Sequence, residues 1–180
     1  GGVLVHSSPS NPVTGNTISQ NSCYGNYYGI WIMNSPDNTV ASNTVHNNDG
    51  SGIYVQGSSE IDVTSNIVFQ NGDSGIWLDS SDYCVVDLNF GEQNSEGIYL
   101  IDSDHNSLSH NDFIENEYGI WLDGSSYNFI TENNCNDNLG GDGIYLWASI
   151  FNTIRGNTCL RNGLGISILS ESDNNAIENN

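Results

Sequence analysis

The sequence contains no lysine and only two arginines, Arg155 and Arg161, against 22 acids, for a formal net charge of −20 over 180 residues. Nucleic acid is a poor partner for such a chain, because phosphate binding needs clustered Lys and Arg. An anionic membrane surface is disfavoured on the same ground. Long apolar runs are missing too: no stretch of about 18 apolar residues could span a bilayer, so membrane insertion is not expected. Cys23, Cys84, Cys135 and Cys159 form no CxxC and pair with no histidine at zinc spacing. They read as small buried apolar groups. No signal peptide is visible, and Gly1 leads straight into a repeat. One domain over residues 1–180 is expected, as a fragment of a longer chain or a stacking subunit.

Hydrophobic residues make up 36% of the chain, below the roughly 45–50% of ordinary globular proteins. Their order shows how so few can still build a core. A motif of Gly, Ile, a variable residue and an aliphatic recurs. It stands at Gly29-Ile30-Trp31-Ile32, Gly52-Ile53-Tyr54-Val55, Gly75-Ile76-Trp77-Leu78 and Gly97-Ile98-Tyr99-Leu100. It continues at Gly119-Ile120-Trp121-Leu122, Gly143-Ile144-Tyr145-Leu146 and Gly165-Ile166-Ser167-Ile168, with Gly2-Val3-Leu4-Val5 as a degenerate first copy. The glycines are 27, 23, 23, 22, 22, 24 and 22 residues apart.

Counting from each glycine gives two asparagine columns. One runs Asn16, Asn43, Asn66, Asn89, Asn111, Asn133, Asn157; the other runs Asn21, Asn48, Asn71, Asn94, Asn116, Asn138, Asn162. All length variation then falls between the second column and the next glycine, with Ser22 to Tyr28 as the longest, tyrosine-rich loop. A shorter asparagine column starts at Asn11 and Asn38, and a serine column at Ser8 and Ser35. A fixed frame with one variable loop fits stacked coils, where a one-residue slip would turn inward side chains outward. Several Gly, Asn and Ser per repeat exclude long helices.

Three short strands fit each coil. The first is Gly-Ile-x-Leu, with Ile30 and Ile32 inward and Trp31 outward. The second centres on Val13, Val40, Val63, Val86, Leu108, Ile130, Ile154 and Ile177. The third points Ile18, Val45, Val68, Phe113, Cys135 and Cys159 inward; Gly91 is the exception, with Phe90 expected to compensate. About eight coils at about 4.8 Å each make a rod of roughly 40 Å, with the asparagines stacked as amide ladders at left-handed turns.

The pattern GI-Y/W-L followed by SS-x-N-x-I-x-x-N-x-I-x-x-N resembles the parallel β-helix repeats of NosD-type proteins and of carbohydrate-binding/sugar-hydrolase domains, repeats also abundant in archaeal surface proteins. The resemblance covers nearly the whole chain. It implies an all-β, right-handed, single-stranded parallel β-helix and an extracellular or cell-surface location. It implies little about activity, because related coils occur in lyases, hydrolases, epimerases, metallochaperone accessories and scaffolds.

Trp31, Tyr54, Trp77, Tyr99, Trp121 and Tyr145 share one outward position on six successive coils. They form a candidate contact stripe for a glycan or a protein, or simply a stabilising cross-strand stack. Asp79, Asp102, Asp104 and Asp123, on three neighbouring coils, are the candidate calcium ligands, since calcium takes several carboxylate and carbonyl oxygens. A solvated acidic surface is the plainer reading, as no EF-hand or nonapeptide repeat is present. No certain cofactor is implied.

Catalytic residues are not assigned. Many acid pairs lie on adjacent coils, so proximity alone singles out none. Lyases of the resembled fold use a basic residue, and here both arginines lie in one late coil. The DPHD-like motif of related epimerases is missing. NosD-type proteins are linked to copper maturation, but His6, His46, His105 and His110 fall at four phases of the repeat and Met33 is the single methionine. No convergent imidazole–sulfur set is expected. Open coil ends invite self-association.

The reading reached here is a non-catalytic extracellular or cell-surface structural and assembly module. A polysaccharide-binding module using the stripe is the alternative, and a carbohydrate-active enzyme the third.

Overall fold

Strands of three to six residues are too short to persist alone; this chain stabilises them by stacking each on its equivalent one coil later. The computed structural model describes residues 1–8 and 11–180. It is a β-solenoid of three parallel sheets, with no helix among the described residues. The first sheet has eight strands, from Val3–His6 to Leu164–Leu169, and the second eight, from Thr17–Ser19 to Ala176–Glu178. The third has five, from Ser22–Tyr24 to Asp112–Ile114, and is continued by the parallel bridges Asp112–Asn134 and Asn134–Thr158.

Alternation decides what each strand buries. In the first sheet Ile30, Ile53, Ile76, Ile98, Ile120 and Ile144 stack in register and are fully buried. Val40, Val63, Val86, Leu108, Ile130 and Ile154 do the same in the second. Two thin columns in the first sheet, the other led by Ile32, Val55 and Leu78, and one in the second therefore carry much of the core, which is how 36% hydrophobic residues build one.

The first coil departs from the expected register. Ile18, not Val13, lies beside Val40 in the second sheet, and Cys23, not Ile18, lies beside Val45 in the third. Asn16, Asn21 and Asn26 accordingly bond Asn38, Asn43 and Asn48, and Asn11 is outside the ladder. In sequence, the extra residues of this coil fall between the strand Val3–His6 and Asn16. Ser22 to Tyr28 is thus not a long loop, because Ser22–Tyr24 is a strand with Cys23 buried. Counting from Gly2 missed this, since equal spacing to an asparagine cannot reveal which asparagine pairs.

The ladders carry the corners. Asn66 donates its backbone N–H and its Nδ2 to Asn89 Oδ1, at 2.9 and 3.0 Å, and Nδ2 also to Val40 O at 2.9 Å. The buried amide is therefore satisfied on both sides. The left-handed residue at these corners is the one before the asparagine: Ser42, Ser65, Leu88, His110 and Glu132 have φ between 51° and 57°. Such φ values cost non-glycine residues of order 1–3 kcal/mol, and the amide hydrogen bonds that follow offset them. Cys84 and Ile61 interrupt the corner column of Asn38 and Asn106 as buried apolar substitutes.

Glycine opens each first strand because the coils approach too closely for a side chain. A Cβ on Gly52 would stand 2.8 Å from Gly75 O and from Asn71 Nδ2.

Gly91 is explained by a neighbour on the next coil. A Cβ there would lie 2.3 Å from Cε1 of Phe113, the largest fully buried side chain. Phe113, not Phe90, fills the space. Gly91→Val alone should destabilise by about 1–3 kcal/mol through overpacking, and Phe113→Val by about 2–4 kcal/mol through a cavity. The double variant, which restores a valine column, should be destabilised by clearly less than the sum. Urea denaturation of the four proteins checks this, and strict additivity would refute the coupling.

Candidate functional site: the aromatic face

The alternation that buries Ile30 and Ile32 turns Trp31 outward, and parallel register repeats the position. Trp31, Tyr54, Trp77, Tyr99, Trp121 and Tyr145 form one continuous column. Successive ring centroids are 5.9, 4.5, 5.8, 5.3 and 5.2 Å apart. Planes differ by only 19° and 30° at the Trp31 end and by 75° between Trp121 and Tyr145. Tyr28 leans against Trp31 and Tyr54, and Tyr118 against Trp121 and Tyr145.

This is a packed band, not a row of open ring faces. Much of each face meets the next ring, and the Nε1 atoms of Trp31, Trp77 and Trp121 are buried without a hydrogen-bond partner. Tyr54 is only 5% exposed, and the other five rings are half-buried. Cross-strand aromatic packing of this kind contributes roughly 0.2–1 kcal/mol per pair.

The acidic corner joins the band. Tyr54 Oη donates to Asp79 Oδ2 at 2.7 Å, Gln56 Nε2 donates to the same oxygen at 3.3 Å, and Tyr99 Oη donates to Asp123 Oδ2 at 3.4 Å. Desolvation and the adjacent Asp123 push the Tyr99 phenol up to about 12, and desolvation with the Asp79 bond pushes Tyr54 up as well.

Asp104 is used differently: its Oδ1 accepts the Ser126 backbone N–H at 2.6 Å. Asp79, Asp102, Asp104 and Asp123 therefore occupy the expected corner without converging. Among the described residues, no three His, Cys, Asp or Glu side chains come together around a metal position.

The histidines are dispersed as well. His46 stacks between Tyr24 and Phe69, and His105 between Tyr83 and Tyr127. His110 bridges Asp87 at 3.0 Å and Glu132 at 2.9 Å, and these hydrogen bonds raise its pKa. Arg161 forms a forked pair with Asp137.

Two features escaped the sequence reading. Tyr83, His105, Tyr127 and Phe151 form a second, exposed stack, with centroids 5.0 to 5.2 Å apart. Three of the four directly precede a corner asparagine, a regularity visible in the sequence. The other is Glu96, only 8% exposed at the start of the strand Glu96–Ile101. It stands where the two preceding coils have Ser51 and Ser74. Ser74 Oγ and Ser95 Oγ donate to its two oxygens at 2.8 and 2.9 Å. Burial raises its pKa, and the two hydroxyls oppose that rise.

These stacked coils define a parallel β-solenoid with asparagine ladders. The chain belongs to the family described as periplasmic copper-binding protein (NosD), whose profile matches residues 1–141 and 89–180. The described side chains do not fit a copper centre built from converging histidines: the four imidazoles are apart, and three of them are engaged as above.

Among solved structures, the periplasmic alginate epimerase AlgG is 22% identical with a TM-score of 0.74, over 93% of this chain and 50% of that one. A mannuronan C-5 epimerase A-module, AlgE6 of Azotobacter vinelandii, is 14% identical with a TM-score of 0.62, over 93% and 57%. A tailspike protein of the Escherichia coli O157:H7 bacteriophage CAB120 is 15% identical with a TM-score of 0.66, over 86% and 26%. At these identities the likeness shows the fold alone, and the chain spans only about a quarter to just over half of each neighbour. The chain matches no curated protein sequence.

Glu96 gives a pH test of the site's electrostatics. Because its folded pKa is raised, its contribution to stability is fully present below the unfolded value and is lost as pH rises through the folded one. Glu96→Gln, which keeps the shape without the charge, should raise the thermal midpoint at neutral pH. The gain should vanish below about pH 4. A gain independent of pH would show that the carboxylate charge is not the cause.

Proposed function

We propose that this chain is an extracytoplasmic scaffold that lays a neutral polysaccharide along the outer face of its first sheet. The observation that carries the reading is the unbroken band of eight rings, Tyr28, Trp31, Tyr54, Trp77, Tyr99, Tyr118, Trp121 and Tyr145. Apolar edges alternate there with hydroxyls tied to Asp79 and Asp123. A hydroxyl-rich polymer can use both: its C–H faces pack on ring edges, and its hydroxyls exchange hydrogen bonds with the tyrosines and carboxylates. The net charge of −20 disfavours polyanions by long-range repulsion.

The periplasmic description of the family supports an extracytoplasmic place. The names of the alginate and mannuronan epimerases lend general support to a polymer as the ligand. The band carries binding rather than bond cleavage in this reading.

Tryptophan fluorescence during titration with neutral and acidic polysaccharides, with and without calcium, tests it. A saturable change is expected with a neutral polymer. Trp77→Ala and Tyr99→Ala should each weaken binding about tenfold, near 1.4 kcal/mol, whereas Trp147→Ala, off the band, should not. Silence toward every neutral polymer, with only oligomers or filaments seen, would replace docking by assembly. Newly released reducing ends would replace it by catalysis.

A further inference from the structure

The third sheet's inward column places Cys135 directly against Cys159. The bridge Asn134–Thr158 and the Cys135 N–H bond to Thr158 O, at 2.8 Å, put the two cysteines in register on adjacent coils. Both point into the core, Cys135 fully buried and Cys159 packed against the cluster. In-register parallel strands lie about 4.8 Å apart, inside the roughly 4.4–6.8 Å Cα separation that a disulfide accepts. A glycine stands beside each: a Cβ on Gly119 would be 2.8 Å from Cys135 Cβ, and one on Gly143 2.9 Å from Cys159 Cβ. Neither glycine adds a side chain against the thiols. Cys23 and Cys84 have no such neighbour: Cys23 lies at the far end of the column beside Val45, and Cys84 lies in a corner.

We infer that Cys135 and Cys159 are a dithiol that closes to a disulfide by exchange with a disulfide oxidant, locking two successive coils together. Cys159 is partly exposed while Cys135 is fully buried, and the neighbouring Cys135 thiol holds the Cys159 pKa down. As the member that an external disulfide can reach, Cys159 is the attacking thiolate, and the buried Cys135 is the resolving thiol. In the first step Cys159 S⁻ attacks one sulfur of R–S–S–R, expelling RS⁻ and leaving a mixed disulfide. In the second, Cys135 loses its proton and attacks the Cys159 sulfur, expelling the second RS⁻. Two thiols and one external disulfide become one protein disulfide and two external thiols. The periplasmic description of the family fits this chemistry, since disulfides persist in oxidising compartments.

The test uses the full chain, equilibrated with glutathione disulfide, acid-quenched, and alkylated after denaturation. The expected product has alkylated Cys23 and Cys84 and is lighter by two hydrogens at the other pair. Its sequence makes the assignment unambiguous. Trypsin cuts after Arg155 and Arg161, releasing Cys159 within residues 156–161, and cleavage after Glu132 and Asp137 releases Cys135 within residues 133–137. The two short peptides should emerge linked and separate on reduction. The oxidised protein should melt about 5–10 °C above the reduced one. Cys23→Ser/Cys84→Ser should keep the link, and Cys159→Ser should lose it. Four alkylated cysteines in the wild-type chain after oxidation, or glutathione stably retained on Cys159, would overturn the proposal.

Discussion

Asn43, Asn66, Asn89, Asn111 and Asn133 each give their backbone and amide N–H to the amide oxygen of the asparagine one coil on, and their amide also to a strand carbonyl on the coil before. That three-way bond sets the register on which the rest depends. It holds a corner whose preceding residue sits at positive φ. It also fixes which side chains face inward on the next strand. Removing one amide would leave buried backbone groups unpaired, a cost of about 1–3 kcal/mol for each group. The hydrophobic columns can then be thin and the strands only three residues long, because the corners do the aligning. Stability in such a stack is local: each coil depends on its two neighbours and little else.

The repeat made most of this legible. The glycine period, the asparagine columns and the inward aliphatics all belong to a one-dimensional pattern, and a stacked fold maps that pattern directly into space. What the pattern hid were pairings between coils of unequal length. Asn16 stands at the same count from its glycine as Asn43, yet bonds Asn38, because the first coil carries its extra residues in a different corner. The sequence shows an asparagine at each corner but not which of two adjacent residues takes the left-handed conformation; it is the residue before the asparagine. Phe90 and Phe113 could not be told apart as partners for Gly91 without the neighbouring coil.

The site was legible in position and not in character. Trp31, Tyr54, Trp77, Tyr99, Trp121 and Tyr145 share the outward column the alternation predicts. Whether their faces are open depends on ring tilt, and on Tyr28 and Tyr118, which come from the corner before the glycine. Glu96 is one of 22 acids, and nothing in its sequence position sets it apart. It stands where the two preceding coils have Ser51 and Ser74, and its oxygens accept the Ser74 and Ser95 hydroxyls. The four aspartates offered for calcium are near in sequence phase, but two of them are occupied by tyrosine hydroxyls and a third by a backbone N–H.

Stacking should make 22 acids ruinous, since carboxylates in one column lie only about 4.8 Å apart. The sequence avoids this by interleaving. Along the end of the first sheet the column reads Met33, Gln56, Asp79, Ile101, Asp123 and Trp147, so no two acids touch. Elsewhere Gln93 donates to Glu115, His110 lies between Asp87 and Glu132, and Arg161 holds Asp137 and lowers its pKa. Arg161 and His110 thus stand where a column would otherwise place carboxylates without a partner. Interleaving does not extend to every column: Asp82 and Asp104 are stacked on adjacent coils, where the Asp104 backbone N–H donates to Asp82 Oδ1. The same rule constrains the aromatic band: Tyr54 and Tyr99 reach carboxylates separated by Ile101, so each phenol meets an acid that the column itself leaves unopposed.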